Sequence, residues 1–265
     1  GGACDFNTTD TQNRSTRRLL RLRNGRISLG WGTNMKCVFG KFVLLITMLL
    51  CLSTFVGAQT GFFGREGRDP HAAIYRKAKQ YNLVSVERAV PGVFIDLRYK
   101  VTSAARRPLY RTDMPCLVHA STAEKLDKVN RKLRADGYSL KIWDAWRPPE
   151  AHQALWDAVQ DPNYVVPPSK GLSWHCYGIS VDLTLVTLDG KPVEMPSKFD
   201  EFSSRAASNY TGGNPEIAKR VILLQTLMRE AGFRVIESEW WHFDDMKARG
   251  GIRNVTAADL GIRMP

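Results

Sequence analysis

Two short segments of the 265-residue chain concentrate side chains able to bind a cation or move a proton. The first is Ser173-Trp174-His175-Cys176-Tyr177-Gly178-Ile179-Ser180-Val181-Asp182, and the second is Glu237-Ser238-Glu239-Trp240-Trp241-His242-Phe243-Asp244-Asp245. A backbone turning at Gly178 would bring the His175 imidazole and the Asp182 carboxylate together, and His242 could supply a third ligand from the next strand. Two histidines and one carboxylate leave the fourth position of a zinc ion open, which is the arrangement of a catalytic site. Strong polarisation of a water there makes hydroxide available near neutral pH. The same spacing also permits a quieter arrangement, with Asp182 bonding backbone at a strand end and His242 packed beside its tryptophans.

The remaining sequence outlines the elements that must position these groups. Pro70 opens a helix running to about Tyr81. Leu83 to Tyr99 alternates apolar and polar residues, with Val93, Ile95 and Leu97 on one face, as one or two strands broken at Pro91-Gly92. Ser121 and Glu124 have the spacing of a capping box. The helix they open places Leu126, Val129 and Leu133 along one side and stops near Gly137. A strand follows through Tyr138, Leu140, Ile142 and Trp143, and Pro148-Pro149 starts a short helix carrying Ala154, Leu155 and Val159. Asp161 to Leu172, with its prolines and Gly171, is a loop. Ile179 to Leu188 is strand-like and closes at the turn pair Asp189-Gly190. Asn214 as cap, Pro215 at the first helical position and Gly232 past the end bracket another helix, with Ile217, Val221, Leu224 and Met228 inward. Phe233 to Ile236 begins a last strand leading into Trp240-Trp241. In a regular strand residues 239 and 242 face opposite sides, so the chain must bend or bulge between them if both serve one site. With no internal repeat and no second linker, a single α+β domain follows.

At 43% hydrophobic and 24% charged residues, the composition excludes a disordered chain, a collagen and a multi-span membrane protein. The net charge is +12, and about half of it lies ahead of residue 59. There Met35, Lys36 and Lys41 precede a low-polarity run from Phe42 to Val56, followed by the small residues Gly57 and Ala58. That is the layout of a signal peptide over 35–58. Residues 1–34 then read as upstream sequence from a misplaced start, 59–70 as a flexible entry, and 71–265 as the folded domain. The apolar run is shorter than the roughly 20 residues of a spanning helix, and a retained anchor is the alternative. Leu50 before Cys51 argues against lipidation. The expected destination is periplasmic or extracellular, with no stable membrane span after signal cleavage.

The Arg-rich stretch from Arg17 to Arg26 resembles a nucleic-acid arm in charge alone. It sits ahead of an export signal, and the chain lacks the aromatic-basic, zinc-finger or helix-turn-helix patterns of nucleic-acid partners. None is expected. Of the five cysteines, only Cys116 and Cys176 remain once the leader is removed. They are a disulfide candidate in an oxidising compartment, or else two buried thiols.

The ordered motifs Ser173-x-His175-x-x-Gly178-x-x-x-Asp182 and Glu239-Trp240-Trp241-His242 lie downstream of Ile142-Trp143-Asp144-Ala145-Trp146-Arg147-Pro148. Together with Asp96-Leu97-Arg98-Tyr99 and Phe199-Asp200-Glu201-Phe202, they resemble the D-alanyl-D-alanine dipeptidase family. This is the VanX-like branch of the zinc D,D-peptidases, whose Hedgehog/D,D-peptidase-like fold sets an antiparallel sheet among flanking helices. The resemblance implies that His175, Asp182 and His242 bind one Zn²⁺ per chain. It implies that Glu239 is the catalytic base, that Arg147 meets the oxyanion, and that Ser173 and Asp200 help bind the substrate amine. The implied substrate is a small D-amino-acid dipeptide, D-Ala-D-Ala, hydrolysed in peptidoglycan turnover or recycling. Related D,D- or L,D-carboxypeptidases and a non-catalytic zinc-stabilised binding module are the alternatives. Trp146, Leu172, Trp174 and Cys176 depart from the family's usual residues without removing a ligand. His71, His119 and His152 match no motif and are expected to be surface or packing residues.

Overall fold

The computed structural model describes residues 69–101, 104–210 and 212–265. The expected upstream segment, the signal peptide and the entry segment up to residue 68 lie outside the described residues. In chain order the elements are α1 (Ala72–Lys79), β1 (Leu83–Ser85), α2 (Val86–Ala89), β2 (Phe94–Ile95), β3 (Leu117–His119), α3 (Ala120–Ala135) and β4 (Tyr138–Asp144). They continue with α4 (Pro149–Val159), β5 (Ser180–Thr187), α5 (Pro215–Glu230), β6 (Arg234–Val235), β7 (His242–Asp244) and α6 (Ala257–Leu260). The class is α+β, as expected.

The main sheet has the order β2-β4-β5-β7-β6, and β1 pairs with β3 in a separate ribbon. All pairings are antiparallel except β2 with β4, which is parallel. Alternation along β4 and β5 gives the sheet two faces. Leu140 and Ile142 stand opposite Leu185 and Leu183, and these side chains join Leu126, Val129 and Leu133 of α3 and Val221, Leu224 and Met228 of α5 in the core. The buried Asn130 of α3 ties this layer together: its Oδ1 accepts from the Leu140 N–H at 2.8 Å and its Nδ2 donates to the Pro91 carbonyl at 2.9 Å. Lys141, Trp143, Asp182 and Thr184 belong to the other face, where the site forms.

A β-bulge between Ile142 and Asp144 decides what that face carries. Ile142 is paired with Leu183, yet Asp144 is paired with Asp182 instead of the next residue along. The extra residue turns Asp144 to the same side as Asp182. Bulges beside functional sites commonly re-aim a side chain in this way. Without it, Asp144 would point into the apolar layer.

The structure departs from the sequence expectations at four places. The capping box at Ser121 and Glu124 does not form: α3 begins at Ala120, and His119 is its cap, with Nδ1 accepting from the Ser121 N–H at 3.3 Å. His119 is pinned as the last residue of β3, opposite Leu83, so strand pairing sets the start of the helix. A reciprocal capping box occurs instead between Thr256 and Asp259 at α6. The stretch from Leu83 to Tyr99 supplies strands to two different sheets, with α2 between them. The last strand is β7, antiparallel to β6, with Ile236 to Trp241 forming the turn.

The fourth concerns the disulfide candidate: Cys116 and Cys176 form no disulfide, and the alternative of two buried thiols holds, both being free and buried. Burial is the largest cause raising each thiol pKa, so neither is a ready thiolate. Each packs in its own surroundings, the Cys116 carbonyl bonded to the Val86 N–H and the Cys176 carbonyl to the Val255 N–H. Among the described residues no helix is long and apolar enough to cross a membrane.

Candidate active site

His175 lies in a single 3-10 turn, Trp174–Tyr177, whose first N–H groups are capped by Ser173 Oγ accepting from His175 N–H at 3.4 Å. The turn ends at Gly178, with φ 69°, and the Gly178 carbonyl accepts from the His119 N–H at 2.7 Å. A Cβ at Gly178 would stand 2.6 Å from Leu83 Cδ2 and 3.1 Å from His119 N. Positive φ and close approach therefore both demand glycine here. Gly178→Ala is expected to cost about 1–3 kcal/mol of stability, read from denaturant unfolding of the purified chain. Unfolding at the wild-type midpoint would contradict it.

Past Gly178 the chain enters β5, and the register of β5 with β7 sets Asp182 directly opposite His242. Sheet pairing thus brings the third candidate ligand to the first two. His175 Nε2 is 3.5 Å from Asp182 Oδ2 and 3.3 Å from His242 Nδ1, and His242 Nδ1 is 2.9 Å from Asp182 Oδ1. A tetrahedral cation held by nitrogen and oxygen at about 2.0–2.2 Å has ligand-to-ligand edges of roughly 3.3 Å. The observed separations, 2.9 to 3.5 Å, are of that size, with Asp182 meeting the two rings through different oxygens.

Protons settle the fit. His175 Nδ1 is 2.7 Å from the Ala145 carbonyl, an acceptor only, so Nδ1 carries the hydrogen and Nε2 presents a lone pair. His242 Nε2 is 2.8 Å from Asp244 Oδ1, which likewise leaves the Nδ1 lone pair facing inward. Two lone pairs and a carboxylate then converge in a buried space, an arrangement that repels itself unless a cation or an added proton sits between them. The electrostatics show the same demand. Burial alone would raise the Asp182 pKa, but the imidazoles of His175 and His242 hold it far below the ordinary carboxylate range. His242 is raised well above an ordinary histidine because the Asp182 and Asp244 carboxylates outweigh its burial. The three residues fit a metal ion.

Asp244 was not singled out from the sequence, although its place two residues after His242 is a legible signal. Its Oδ2 accepts from Arg234 Nη2 at 2.6 Å and Nε at 3.2 Å, and its Oδ1 accepts from Ser180 Oγ. A carboxylate so held fixes the tautomer and the angle of the metal-facing ring. Asp244→Asn is expected to weaken metal affinity by about 10–100-fold, measured by competition with a chromogenic chelator. An unchanged affinity would show that the His242 ring is oriented by packing alone.

Glu239 lies in the turn between β6 and β7, so the bend required from the sequence is present. The turn is anchored by its tryptophans: Trp240 N–H donates to the Ala206 carbonyl at 2.8 Å, Trp240 Nε1 donates to Ser197 Oγ at 3.0 Å, and both rings are buried. Glu239 Oε2 comes to 4.0 Å from His242 Nδ1. Burial raises the Glu239 pKa, His242 pulls it down, and the Asp182 and Asp200 carboxylates add to the rise. A carboxyl so placed is suited to exchanging a proton near neutral pH.

Arg147 is held by the bulged strand. Its Nε and Nη2 both reach Asp144 Oδ2 at 2.8 Å, and its Nη2 is 3.6 Å from Asp182 Oδ2. The other Asp144 oxygen accepts from Tyr110 Oη at 2.6 Å, and the guanidinium lies over the Tyr99 ring with its carbon 5.1 Å from the centroid. Asp144 sits in the quoted motif but was given no role from the sequence, because the bulge that turns it inward leaves no local signal.

His175, Asp182, His242, Glu239, Arg147, Asp244 and Tyr99 border one cavity of about 340 Å³, together with Ser173, Asp200, Tyr164, Leu155, Val165 and Trp174. Asp200 adopts the left-handed conformation, φ 56°, and its Oδ2 is buried without a hydrogen-bond partner. Burial, reinforced by Asp182, pushes its pKa up to about 7. The expected Glu239, Arg147, His175, Asp182, His242, Ser173 and Asp200 therefore all line one space. Of the histidines that matched no motif, His71 lies away from this cavity and His119 caps α3. His152 lines the cavity, where sequence reasoning had placed a packing residue.

Residues 79–257 match the family described as D-ala-D-ala dipeptidase. The D-alanyl-D-alanine dipeptidase of Escherichia coli (strain K12) is 33% identical over 162 residues, covering 61% of this chain and 83% of that protein. The D-alanyl-D-alanine dipeptidase of Enterococcus faecium is 32% identical over 139 residues, covering 46% of this chain and 69% of its own. That of Enterococcus faecalis (strain ATCC 700802 / V583) is 33% identical over 126 residues, with 40% and 62% covered.

Proposed function

The chain belongs to the D-ala-D-ala dipeptidase family, and from that premise we propose that it is a zinc-dependent dipeptidase that hydrolyses D-Ala-D-Ala to D-alanine. The observation that carries this reading is the convergence of two lone pairs and a carboxylate beside a buried, proton-ready Glu239. His175, Asp182 and His242 would hold the ion. Zinc at such a site supplies a Lewis acid that polarises the scissile carbonyl and acidifies a water.

The protein's own groups do the rest. Glu239 takes a proton from the attacking water and returns one to the leaving amine. Arg147, locked by Asp144 and Tyr99, donates to the oxygen on which negative charge develops; fixed donors in a water-poor pocket are worth most there. Asp200 offers its unpartnered oxygen to the substrate ammonium, which favours its ionised form. Ser173, capping the His175 turn at the cavity wall, adds a hydroxyl to the binding of the same ammonium. The signal-like layout of residues 35–58 supports work in the periplasm or outside the cell, in peptidoglycan turnover or recycling.

The test uses the full chain, loaded with zinc, then stripped by chelator and reloaded, with release of free D-alanine followed. Hydrolysis that vanishes on stripping and returns with zinc is expected. A folded chain that never cleaves the dipeptide, or cleaves it equally well without metal, defeats the reading. Because Asp200 requires a free ammonium, N-acetyl-D-Ala-D-Ala should be cut poorly; efficient cleavage of it would indicate a carboxypeptidase.

A further inference from the structure

His152 lies in the first turn of α4, five residues after Arg147, and its N–H donates to the Pro148 carbonyl at 3.0 Å. Its side chain is wholly buried, it lines the catalytic cavity, and neither ring nitrogen has a hydrogen-bond partner. The backbone of Val166 is the one group that favours its protonated form, and it meets neither nitrogen at hydrogen-bond geometry. Burial, followed by the charge of Arg147, pushes its pKa down to about 4, so the ring is a neutral donor and acceptor. Unsatisfied buried polar groups are uncommon, and each calls for an explanation.

The cavity around it is electrically polarised. Glu239, Asp182 and Asp200 form its acidic wall. The opposite character comes from Arg147 and from the N-terminal end of α4, whose partial positive charge favours an anion; the neutral His152 and the apolar Leu155 of that helix face the same cavity. Of the other bordering donors, Arg234 is engaged with Asp244 and Asn163 Nδ2 with Asp161 Oδ1 at 2.9 Å. A dipeptide zwitterion placed with its ammonium at Asp200 leaves its carboxylate without an assigned partner.

We propose that His152 is a specificity-determining residue, whose imidazole N–H donates to the terminal carboxylate of the dipeptide at the start of α4. The inference rests on the dipeptidase reading above and extends it to the orientation of the substrate. His152 thereby helps separate free dipeptides from peptides whose last residue is amidated or extended.

The test compares zinc-loaded wild type with His152→Leu and His152→Gln, on D-Ala-D-Ala and on its C-terminal amide. Loss of a hydrogen bond to a charged group should raise KM by about tenfold or more in His152→Leu, with kcat within threefold. His152→Gln, which keeps an N–H donor, should recover most of that loss. The penalty of His152→Leu should shrink on the amide, where the acceptor is uncharged. Calorimetric titration of D-Ala-D-Ala into chains that also carry Glu239→Gln should show the same loss without turnover. An unchanged KM and affinity in His152→Leu overturns the proposal. So does a parallel fall of kcat, zinc content and melting temperature that His152→Gln does not relieve, which marks a packing residue. Wild type that neither binds nor cleaves the dipeptide defeats the dipeptidase reading first and this inference with it.

Discussion

Replacing Glu239 with glutamine is expected to lower the turnover of D-Ala-D-Ala by about a thousandfold, within the 10²–10⁴ range of a positioned acid–base group, and to leave metal content unchanged. The separation follows from the geometry. Glu239 is 4.0 Å from His242 Nδ1 and outside the ligand triangle, and its turn is anchored by Trp240 through Ala206 and Ser197. Glutamine fills the same volume and keeps the hydrogen-bonding capacity, but it cannot accept a proton from water. Burial also means that an uncharged replacement is no burden to the fold. Metal analysis and steady-state kinetics on one preparation check the prediction. A large loss of bound metal would place Glu239 among the ligands; near-normal turnover would remove it from the chemistry.

Replacing Arg147 with alanine is expected to damage both activity and stability, and the two effects can be pulled apart. Removal of one oxyanion donor costs about 10²–10³ in kcat. The same change strands Asp144, which is fully buried, with Tyr110 as its remaining close donor. Breaking a buried ion pair from one side costs about 3–5 kcal/mol, because the other charge is left uncompensated. A chain carrying Arg147→Leu together with Asp144→Asn should regain most of the stability and none of the activity. Arg147→Lys should fold better than Arg147→Ala yet remain slow, since an ammonium cannot bridge Asp144 and the cavity as the planar guanidinium does. Denaturant unfolding and kcat of the variants decide the matter. Stability and activity rising together in the double variant would show that Arg147 serves only to neutralise Asp144.

The longer helices and the central strands were legible because their signals are local, while the candidate ligand trio was read from ordered motifs through the family resemblance. Ile217, Val221, Leu224 and Met228 keep helical spacing between the Asn214 cap and Gly232, and all four are buried inward. Tyr138 to Asp144 and Ser180 to Thr187 alternate or run apolar as core strands do. The need for a bend between Glu239 and His242 followed from strand geometry alone, and the turn at Trp240-Trp241 supplies it. Where expectation and structure part, a distant segment decides. His119 replaces Ser121 as a cap because β3 is paired to β1. Cys116 and Cys176 are both free and buried, a state that no spacing in the chain records.

Residue type and order, through the family resemblance, marked the groups proposed to do the chemistry: His175, Asp182, His242, Glu239 and Arg147 carry donors and acceptors whose capacities are intrinsic. Only the tertiary structure decided which protons those groups hold and what faces them. The Ala145 carbonyl and the Asp244 carboxylate turn the histidine lone pairs inward, the bulge at Asp144 aims Arg147, and the cavity wall gathers in His152. Tautomer, aim and desolvation arise from contacts between residues far apart in the chain, so they exist only once the strands have paired and water has been excluded.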